Sequence, residues 1–222
     1  MNHIFYLPLV TRTEFYNHVT PHDKYFNNFN ATIDDGEKKF LGELHGQGGE
    51  YGVLYITGHG GLNTTLSLRE PLDARVISPD QLGAHLLGKI DVNLPDFLQQ
   101  YQGIRLLSHR IRKVKVFACF SGVAPDDGIS SFAHELAVYF RVNHCHVPVY
   151  GYTGLTKFEG GRKYIDGGFG VQPKRAKSRR AKFCQHNPNE KFTLTQEARQ
   201  DWQDGDNWWV FDKASIEKWR QG

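Results

Sequence analysis

The sequence predicts an α/β domain with a mainly parallel central sheet flanked by helices. Two observations predict this class. Short apolar runs at residues 53–57, 114–118 and 146–152 have the length of buried strands, and segments with apolar residues at helical spacing separate them. Strands that alternate with helices favour parallel pairing with right-handed crossovers. In such sheets, ligands bind at the carboxyl ends of the strands.

The size and composition are those of one globular unit, because 222 residues with 39% hydrophobic content can supply a full core. We expect a single domain over residues 1–222, with an N-terminal extension (1–49), a core (50–155) and a basic flap with C-terminal elements (156–222). No internal repeat is visible. No apolar run approaches the roughly 18 residues of a membrane span, and the first twenty residues lack a secretory pattern. We expect a protein of the cytoplasm, or one that enters a host cell without a cleavable signal peptide.

The cysteine content permits a free thiol. Cys119, Cys145 and Cys184 are an odd number at unrelated spacings, which argues against a disulfide framework and for a reducing compartment. The formal net charge of +3 is too small to indicate a nucleic-acid partner by itself.

The first half of the chain contains one strand and one helix with clear signals. Residues 4–10 are apolar, and the polar stretch to residue 49 is left unassigned. Residues 53–57 are predicted to form a buried strand, and residues 62–77 a hairpin or loop. A helix then begins with Ser78 as its cap and Pro79 at the first helical position. Its apolar face contains Leu82, Leu86, Leu87 and Ile90.

The second half repeats the alternation. Residues 95–108 are predicted to hold a helix before the strand at 114–118. Asp127 or Ser130 is then expected to cap a further helix, and residues 146–152 form the next strand. Hairpins and a short terminal helix at 213–220 are expected after residue 155. The apolar positions of the helix after Cys119 are Ile129, Phe132, Ala133, Leu136 and Phe140.

Two of the predicted strands end in a reactive side chain. The first is followed by Gly58-His59-Gly60-Gly61, and the second by Cys119-Phe120-Ser121-Gly122. Because these ends share one sheet edge, we predict that Cys119 is a thiol nucleophile and His59 its proton-transfer partner. The glycines let backbone N–H groups approach a substrate, so those of Gly60 and Cys119 are candidates to hold an oxyanion. A buried structural thiol is the alternative for Cys119 taken alone.

In this order on successive strands, the two motifs resemble the caspase-like cysteine peptidases (clan CD), which include caspases, legumains, clostripains and gingipains. Within the clan, the chain is most similar to the inositol-phosphate-activated cysteine protease domain of bacterial repeats-in-toxin and clostridial glucosylating toxins. The likeness covers about residues 50–212. Further segments fall in a similar order: Ser78-Pro79-Asp80-Gln81-Leu82, Phe132-Ala133-His134, Val147-Pro148-Val149-Tyr150, Glu159-Gly160-Gly161-Arg162-Lys163 and Trp209-Val210-Phe211-Asp212.

The resemblance implies a caspase-like sandwich and a cysteine endopeptidase of the bacterial effector or toxin-like kind. It assigns the nucleophile to Cys119 and the acid/base to His59. It also implies that Phe117, Thr153 and Gly154 line the pocket for the residue before the scissile bond. Phe117 stands where legumain-like or metacaspase-like chains have an acidic residue, so an apolar substrate side chain is expected rather than Asn or Lys/Arg. Glu159 or Asp166 would change this preference if either reached the pocket.

The toxin domains lie within longer chains and cut upstream of themselves. Here only about fifty residues precede the histidine strand. Autoprocessing is therefore not expected to be the main role.

The basic segment has three interpretations. Six of the nine residues 174–182 are Lys or Arg, which is compatible with a solvated loop, an anion site or a nucleic-acid site. Without an interleaved aromatic platform, the nucleic-acid interpretation is the weakest, and no such partner is expected. The resemblance implies inositol hexakisphosphate as an activator, although the chemistry itself requires no cofactor or metal. The anion site would consist of Arg162, Lys163, Lys174, Arg175, Lys177, Arg179, Arg180 and Lys182.

Other patterns carry less weight. The histidine turn resembles that of α/β-hydrolases, but the nucleophile segment lacks the first glycine of G-x-S-x-G. His45-Gly46 mimics the catalytic turn without an apolar strand before it. A zinc site is disfavoured because the chain has no second pair of the C-x-x-C type; it would use His144, Cys145, His146, Cys184 and His186. The competing class of function is a catalytically silent caspase-like module whose basic face holds a polyphosphate or a protein partner.

Overall fold

A computed structural model of the chain describes residues 2–7, 29–32, 51–60, 66–67, 76–89, 111–122, 131–159, 162–166, 174–177, 180–183 and 193–194. Its strands are β1 (Asn2–Leu7), β2 (Phe29–Thr32), β3 (Tyr51–Thr57), β4 (His59–Gly60), β5 (Leu66–Ser67), β6 (Val76–Ile77), β7 (Val114–Phe117), β8 (Val149–Tyr152), β9 (Leu155–Glu159), β10 (Arg162–Asp166), β11 (Lys174–Arg175), β12 (Arg180–Phe183) and β13 (Thr193–Leu194). Its helices are α1 (Pro79–Leu87) and α2 (Phe132–Val142).

The main sheet is mostly parallel. In the part of the chain that the structure describes, it has seven strands in the order β13-β12-β8-β7-β3-β1-β2. The five strands from β8 to β2 pair in parallel, and β12 and β13 add antiparallel pairs at the other edge. The predicted α/β class with a mainly parallel sheet is therefore confirmed. The N-terminal segment, left unassigned from sequence, supplies β1 and β2.

Helix α2 packs on one face of the sheet, at β8 and β12. Val114 and Val116 of β7 are fully buried, as are Leu54 and Ile56, which pair with them in β3. Ala133 of α2 lies against the same face at β8, and α1 packs on α2. Each large side chain buried here contributes about 1.5–3 kcal/mol. Among these are Phe132 and Phe140, both of which belong to the predicted apolar face of α2.

Helix α1 begins as predicted. Ser78 is its cap and accepts a hydrogen bond from the backbone N–H of Gln81, whose side chain accepts one from the Ser78 N–H. Pro79 occupies the first turn, and Gly88 ends the helix with a left-handed φ of 66°. Leu82 and Leu86 are buried as expected. Leu87 is half-buried, and Ile90 lies outside the described residues.

The start of α2 corrects a prediction. Ser131, not Asp127 or Ser130, is the cap, and its hydroxyl accepts from the backbone N–H of His134. Capping from Ser131 brings Phe132 and Ala133 into the buried first turn. The other predicted core residues of α2, Leu136 and Phe140, are also buried, whereas Ile129 lies outside the described residues.

Several strands are shorter than predicted. The run at 146–152 pairs only from Val149, and Ala118 belongs to the turn after β7.

Two small antiparallel sheets accompany the main sheet in the described part of the chain. One consists of β9, β10 and β11, and the other of β4, β5 and β6. The helices predicted at 95–108 and 213–220 lie outside the described residues. Within the described residues, neither helix is long and apolar enough to cross a membrane.

Candidate active site

The histidine and cysteine turns lie at the same edge of the sheet. Strands β3 and β7 are parallel neighbours, and Thr57 and Phe117 are their last paired residues. His59 and Cys119 each follow that pair by two residues. The fold therefore delivers both side chains to the carboxyl ends of adjacent strands, as predicted from the order of the motifs.

The backbones of the two turns touch at Gly60. A Cβ atom at position 60 would lie 2.5 Å from the carbonyl oxygen of Cys119, 3.1 Å from the Ala118 Cβ and 3.3 Å from the Cys119 nitrogen. The first of these distances is shorter than side chains tolerate, so only glycine permits this approach. His59, just before it, is exposed, and Cys119 is half-buried. The structure thus places Gly60 against Cys119, with His59 as the residue next to Gly60.

Hydrogen bonds to Ser121 hold the turn that carries Cys119. The Ser121 hydroxyl donates to the Val116 carbonyl at 2.7 Å and accepts from the Tyr152 N–H at 3.0 Å. The carbonyl of Ser121 accepts from the N–H of Ala133 at 2.9 Å. Between Cys119 and Ser121, Phe120 has a left-handed φ of 52°, which costs a non-glycine residue about 1–2 kcal/mol. The bonds made by Ser121 offset this strain.

The segment from β8 into β9 runs alongside the cysteine turn. The N–H of Gly122 donates to the Tyr152 carbonyl at 2.9 Å, and that of Phe120 to the Gly154 carbonyl at 3.0 Å. The next link reaches the Cys119 side chain, because the N–H of Thr156 donates to its Sγ at 3.3 Å. The cysteine turn is therefore attached to this segment at three successive points.

The three residues predicted to bind substrate lie beside this turn. Phe117 is 2% exposed, and its ring meets that of Tyr152 edge-to-face at 5.2 Å. Thr153 is 6% exposed, and Gly154 is buried with its carbonyl bonded to Phe120. All three are thus placed at the edge that carries Cys119. The side chains of Glu159 and Asp166 lie outside what the structure describes.

A cluster of cations and tyrosines lies on the other face of the sheet from α2. Tyr55, Lys115 and Tyr150 are register partners on adjacent strands. The Lys115 amine donates to the Tyr55 hydroxyl at 3.0 Å, and the Lys163 amine lies 3.4 Å from the centre of the Tyr55 ring. The Arg180 guanidinium lies 4.9 Å from the Tyr150 ring centre. We call these five residues the cation cluster.

Like charges within reach of one another define the electrostatics of this cluster. Burial is the main cause that lowers the pKa of Lys115 to about 8, and the charges of Arg180, Lys113 and Lys177 act in the same direction. The Nε of Arg180 is buried and has no hydrogen-bond partner in the described part of the chain. Such a site gains from an anion, because a negative charge would offset both the repulsion and the missing bond.

The cluster contains two of the predicted anion-binding residues, Lys163 and Arg180. Arg175 is exposed and lies 5.3 Å from the ring centre of Tyr164, and Lys177 is also exposed. Arg162, Lys174 and Lys182 belong to β10, β11 and β12, respectively, and Arg179 lies outside the described residues.

Sequence reasoning missed Lys115, Tyr55, Tyr150 and Thr156. A signal for Lys115 exists: it is a single lysine between Val114 and Val116 in an apolar strand. Nothing local indicates the other three residues, because they meet their partners only across strands.

No group of three or more metal-ligating side chains occurs among the described residues, from which Cys184, His186 and His45 are missing. No protein-family model matches the chain, and a search of curated proteins finds no match. The functional proposals below therefore rest on the fold and on the site geometry.

Proposed function

We propose that this protein is a caspase-like cysteine endopeptidase in which Cys119 is the nucleophile and His59 the general acid/base. The observation that carries the proposal is the contact of Gly60 with the backbone of Cys119. It supports a site in which the histidine and cysteine turns form one unit. The order of the motifs on adjacent parallel strands is that expected of the clan.

The proposed reaction begins when the sulfur of Cys119 attacks the carbonyl carbon of the scissile peptide bond. The oxyanion that forms is held by the backbone N–H groups of Gly60 and Cys119. His59 protonates the amine as the C–N bond breaks, so the first product leaves neutral. Water then hydrolyses the thioester, which releases the acid product and restores the thiol.

The exposure of the two side chains suits these roles. Cys119 is half-buried, so its sulfur is held yet reachable, and His59 is exposed at the rim where a leaving amine would depart. The buried Phe117 and its contact with Tyr152 support an apolar wall near the nucleophile. We therefore propose an apolar residue before the scissile bond, which a peptide-library cleavage profile would test.

Labelling with a thiol-directed peptide electrophile separates a peptidase from a silent binding module. Wild-type protein should be labelled at Cys119, and Cys119→Ala should lose both labelling and cleavage. The matched control is Cys145→Ala, since Cys145 is the other cysteine among the described residues and is buried. If Cys145→Ala abolishes cleavage and Cys119→Ala does not, the assignment of the nucleophile is wrong.

Loss of His59 should have a different signature. His59→Ala should lower turnover by about 10²–10⁴, the usual loss when positioned proton transfer is removed. A strong alkylating agent should still modify Cys119 in this variant. Unchanged turnover would contradict the role of His59.

We also propose that the cation cluster binds a polyanion such as inositol hexakisphosphate. The support is the lowered pKa of Lys115 and the buried Nε of Arg180. Lys115, Lys163 and Arg180 would hold phosphate groups, with the planar Arg180 side chain suited to bidentate contacts. This second proposal also fits the silent module, so binding and cleavage must be measured separately.

Calorimetry and thermal unfolding with inositol hexakisphosphate test this proposal. A ligand at a hundredfold excess over its Kd stabilises the folded state by about 2.7 kcal/mol, and this gain should shrink at high salt. Charge reversal of Lys163 or Arg180 should remove the response. Lys89→Glu is the control, because Lys89 is an exposed lysine just after α1. No saturable heat with wild-type protein would rule out the anion site.

A further inference from the structure

The sulfur of Cys119 is contacted by a residue 37 positions away in the sequence. The backbone N–H of Thr156 points at the Sγ across 3.3 Å, and the hydroxyl oxygen of Thr156 lies 3.6 Å from the same atom. The amide can only donate, so the sulfur accepts this bond. The hydroxyl can rotate, so it accepts from a thiol or donates to a thiolate.

The position of Thr156 is set by its neighbours on two sides. In β9 it pairs with Ile165 of β10, which is 1% exposed. Two residues earlier, the Gly154 carbonyl accepts from the N–H of Phe120. Thr156 is therefore attached both to the β9–β10 pair and to the cysteine turn itself.

We propose that Thr156 is a positioning residue that holds the Cys119 sulfur for attack. This inference rests on the peptidase proposal above. A bond to a charged sulfur is roughly twice as strong as one to a neutral sulfur, so both contacts hold the sulfur most firmly as it attacks. The same bonds fix the rotamer of Cys119. Thr156 thereby places the sulfur without touching the substrate.

Replacing the hydroxyl with a methyl group tests this role. Thr156→Val keeps the backbone N–H, the branched shape and the preference for a strand. We expect the rate of Cys119 alkylation by iodoacetamide to fall about tenfold, at the low end for loss of a bond to a charged group because the contact is long. Thr156→Ser should restore the rate to within about twofold of wild type. In cleavage assays, kcat should fall while KM stays unchanged.

Two further variants guard against a structural explanation. Ser78→Ala removes a hydroxyl at the cap of α1, so it should lower stability and leave the alkylation rate unchanged. Thr156→Ala should reproduce the slower alkylation of Thr156→Val, which excludes an effect of the added methyl group.

The outcomes separate this inference from the peptidase proposal. Wild-type alkylation rates in Thr156→Val, or failure of Thr156→Ser to restore the rate, would overturn the positioning role. Thr156-dependent alkylation in a protein that cleaves no peptide would support positioning and overturn the peptidase. Peptide cleavage with no dependence on Thr156 would support the peptidase and overturn the positioning role.

Discussion

At the residue scale, one small side chain organises the turn that carries Cys119. Ser121 is 2% exposed and uses its hydroxyl both as a donor, to Val116, and as an acceptor, from Tyr152. These two partners belong to neighbouring parallel strands, β7 and β8. Ser121 therefore links the strand that leads to Cys119 with the strand beside it.

Ser121→Ala should lower both stability and activity. It leaves a buried carbonyl and a buried N–H without their partner, and each such loss costs about 1–3 kcal/mol. We expect a loss of about 3 kcal/mol in urea unfolding, together with slower turnover as the turn relaxes. A loss of under 1 kcal/mol would show that the left-handed Phe120 does not depend on this hydroxyl.

Lys115→Met should separate stability from anion binding. The substitution removes a partly buried charge that lies near Arg180, Lys113 and Lys177, so the melting temperature without ligand should rise by a few degrees. Stabilisation by inositol hexakisphosphate should decrease in the same variant. Equal stabilisation of both proteins would remove Lys115 from the anion site.

The same group predicts how anion binding depends on pH. Because the pKa of Lys115 is lowered to about 8, its amine loses its proton in the ligand-free protein as the pH rises above that value. Affinity for the polyanion should therefore fall between pH 7 and pH 9. Titration calorimetry should show a weaker fall in Lys115→Met.

At the element scale, close backbone approach assembles the site. Strands β3 and β7 bring the two turns to one edge, but contact between them needs the missing side chain of Gly60. A second such contact joins β8 to the cysteine turn, where a Cβ on Gly151 would lie 2.5 Å from the Cα of Gly122. Both contacts are between backbone atoms, so rotation of a side chain cannot relieve an added methyl group.

Gly60→Ala should therefore reduce activity more than stability. The added Cβ would meet the carbonyl of Cys119 and push the histidine turn away from the cysteine turn. Since small misplacements at a reacting centre cost about 10²-fold in rate, we expect a loss of at least that size in kcat/KM. Gly88→Ala is the control, because it strains the end of α1 and should leave cleavage unchanged. Comparable losses in both variants would argue against a local effect.

At the scale of the whole molecule, packing of helices on the sheet makes stability depend on pH. His85 of α1 is 1% exposed, and burial lowers its pKa from 6.5 to about 4. Between these two values the unfolded chain binds a proton that the folded protein does not. Stability from this group is therefore full above pH 6.5 and is lost as the pH falls toward 4.

Urea unfolding at several pH values measures this contribution. From pH 7 to pH 4.5, His85 should remove roughly 2–3 kcal/mol of stability, given 1.36 kcal/mol per pKa unit. His85→Leu should lack this component, whereas losses from carboxylates are common to both proteins. Parallel stability curves for the two proteins would show that His85 is protonated without penalty.

The sequence by itself determined the start of α1 and the class of the sheet, because both depend on residues that are neighbours in sequence. The capping pair of Ser78 and Gln81 defines α1, and apolar strands that alternate with helices define a mainly parallel sheet. The sheet class in turn places His59 and Cys119 at one edge, because parallel strands end on the same side. This much follows from spacing alone.

Tertiary structure decided the contacts between distant segments. Thr156 reaches the Cys119 sulfur, and Lys115 bonds to Tyr55 and feels the charge of Arg180, only because register aligns strands far apart in the chain. The register of a strand is set by many weak packing contacts over a whole face of the sheet, so no short sequence motif predicts it. The cap of α2 is Ser131 rather than the predicted Asp127 or Ser130 for a similar reason. Several polar residues precede that helix, and burial of Phe132 decides which of them is the cap.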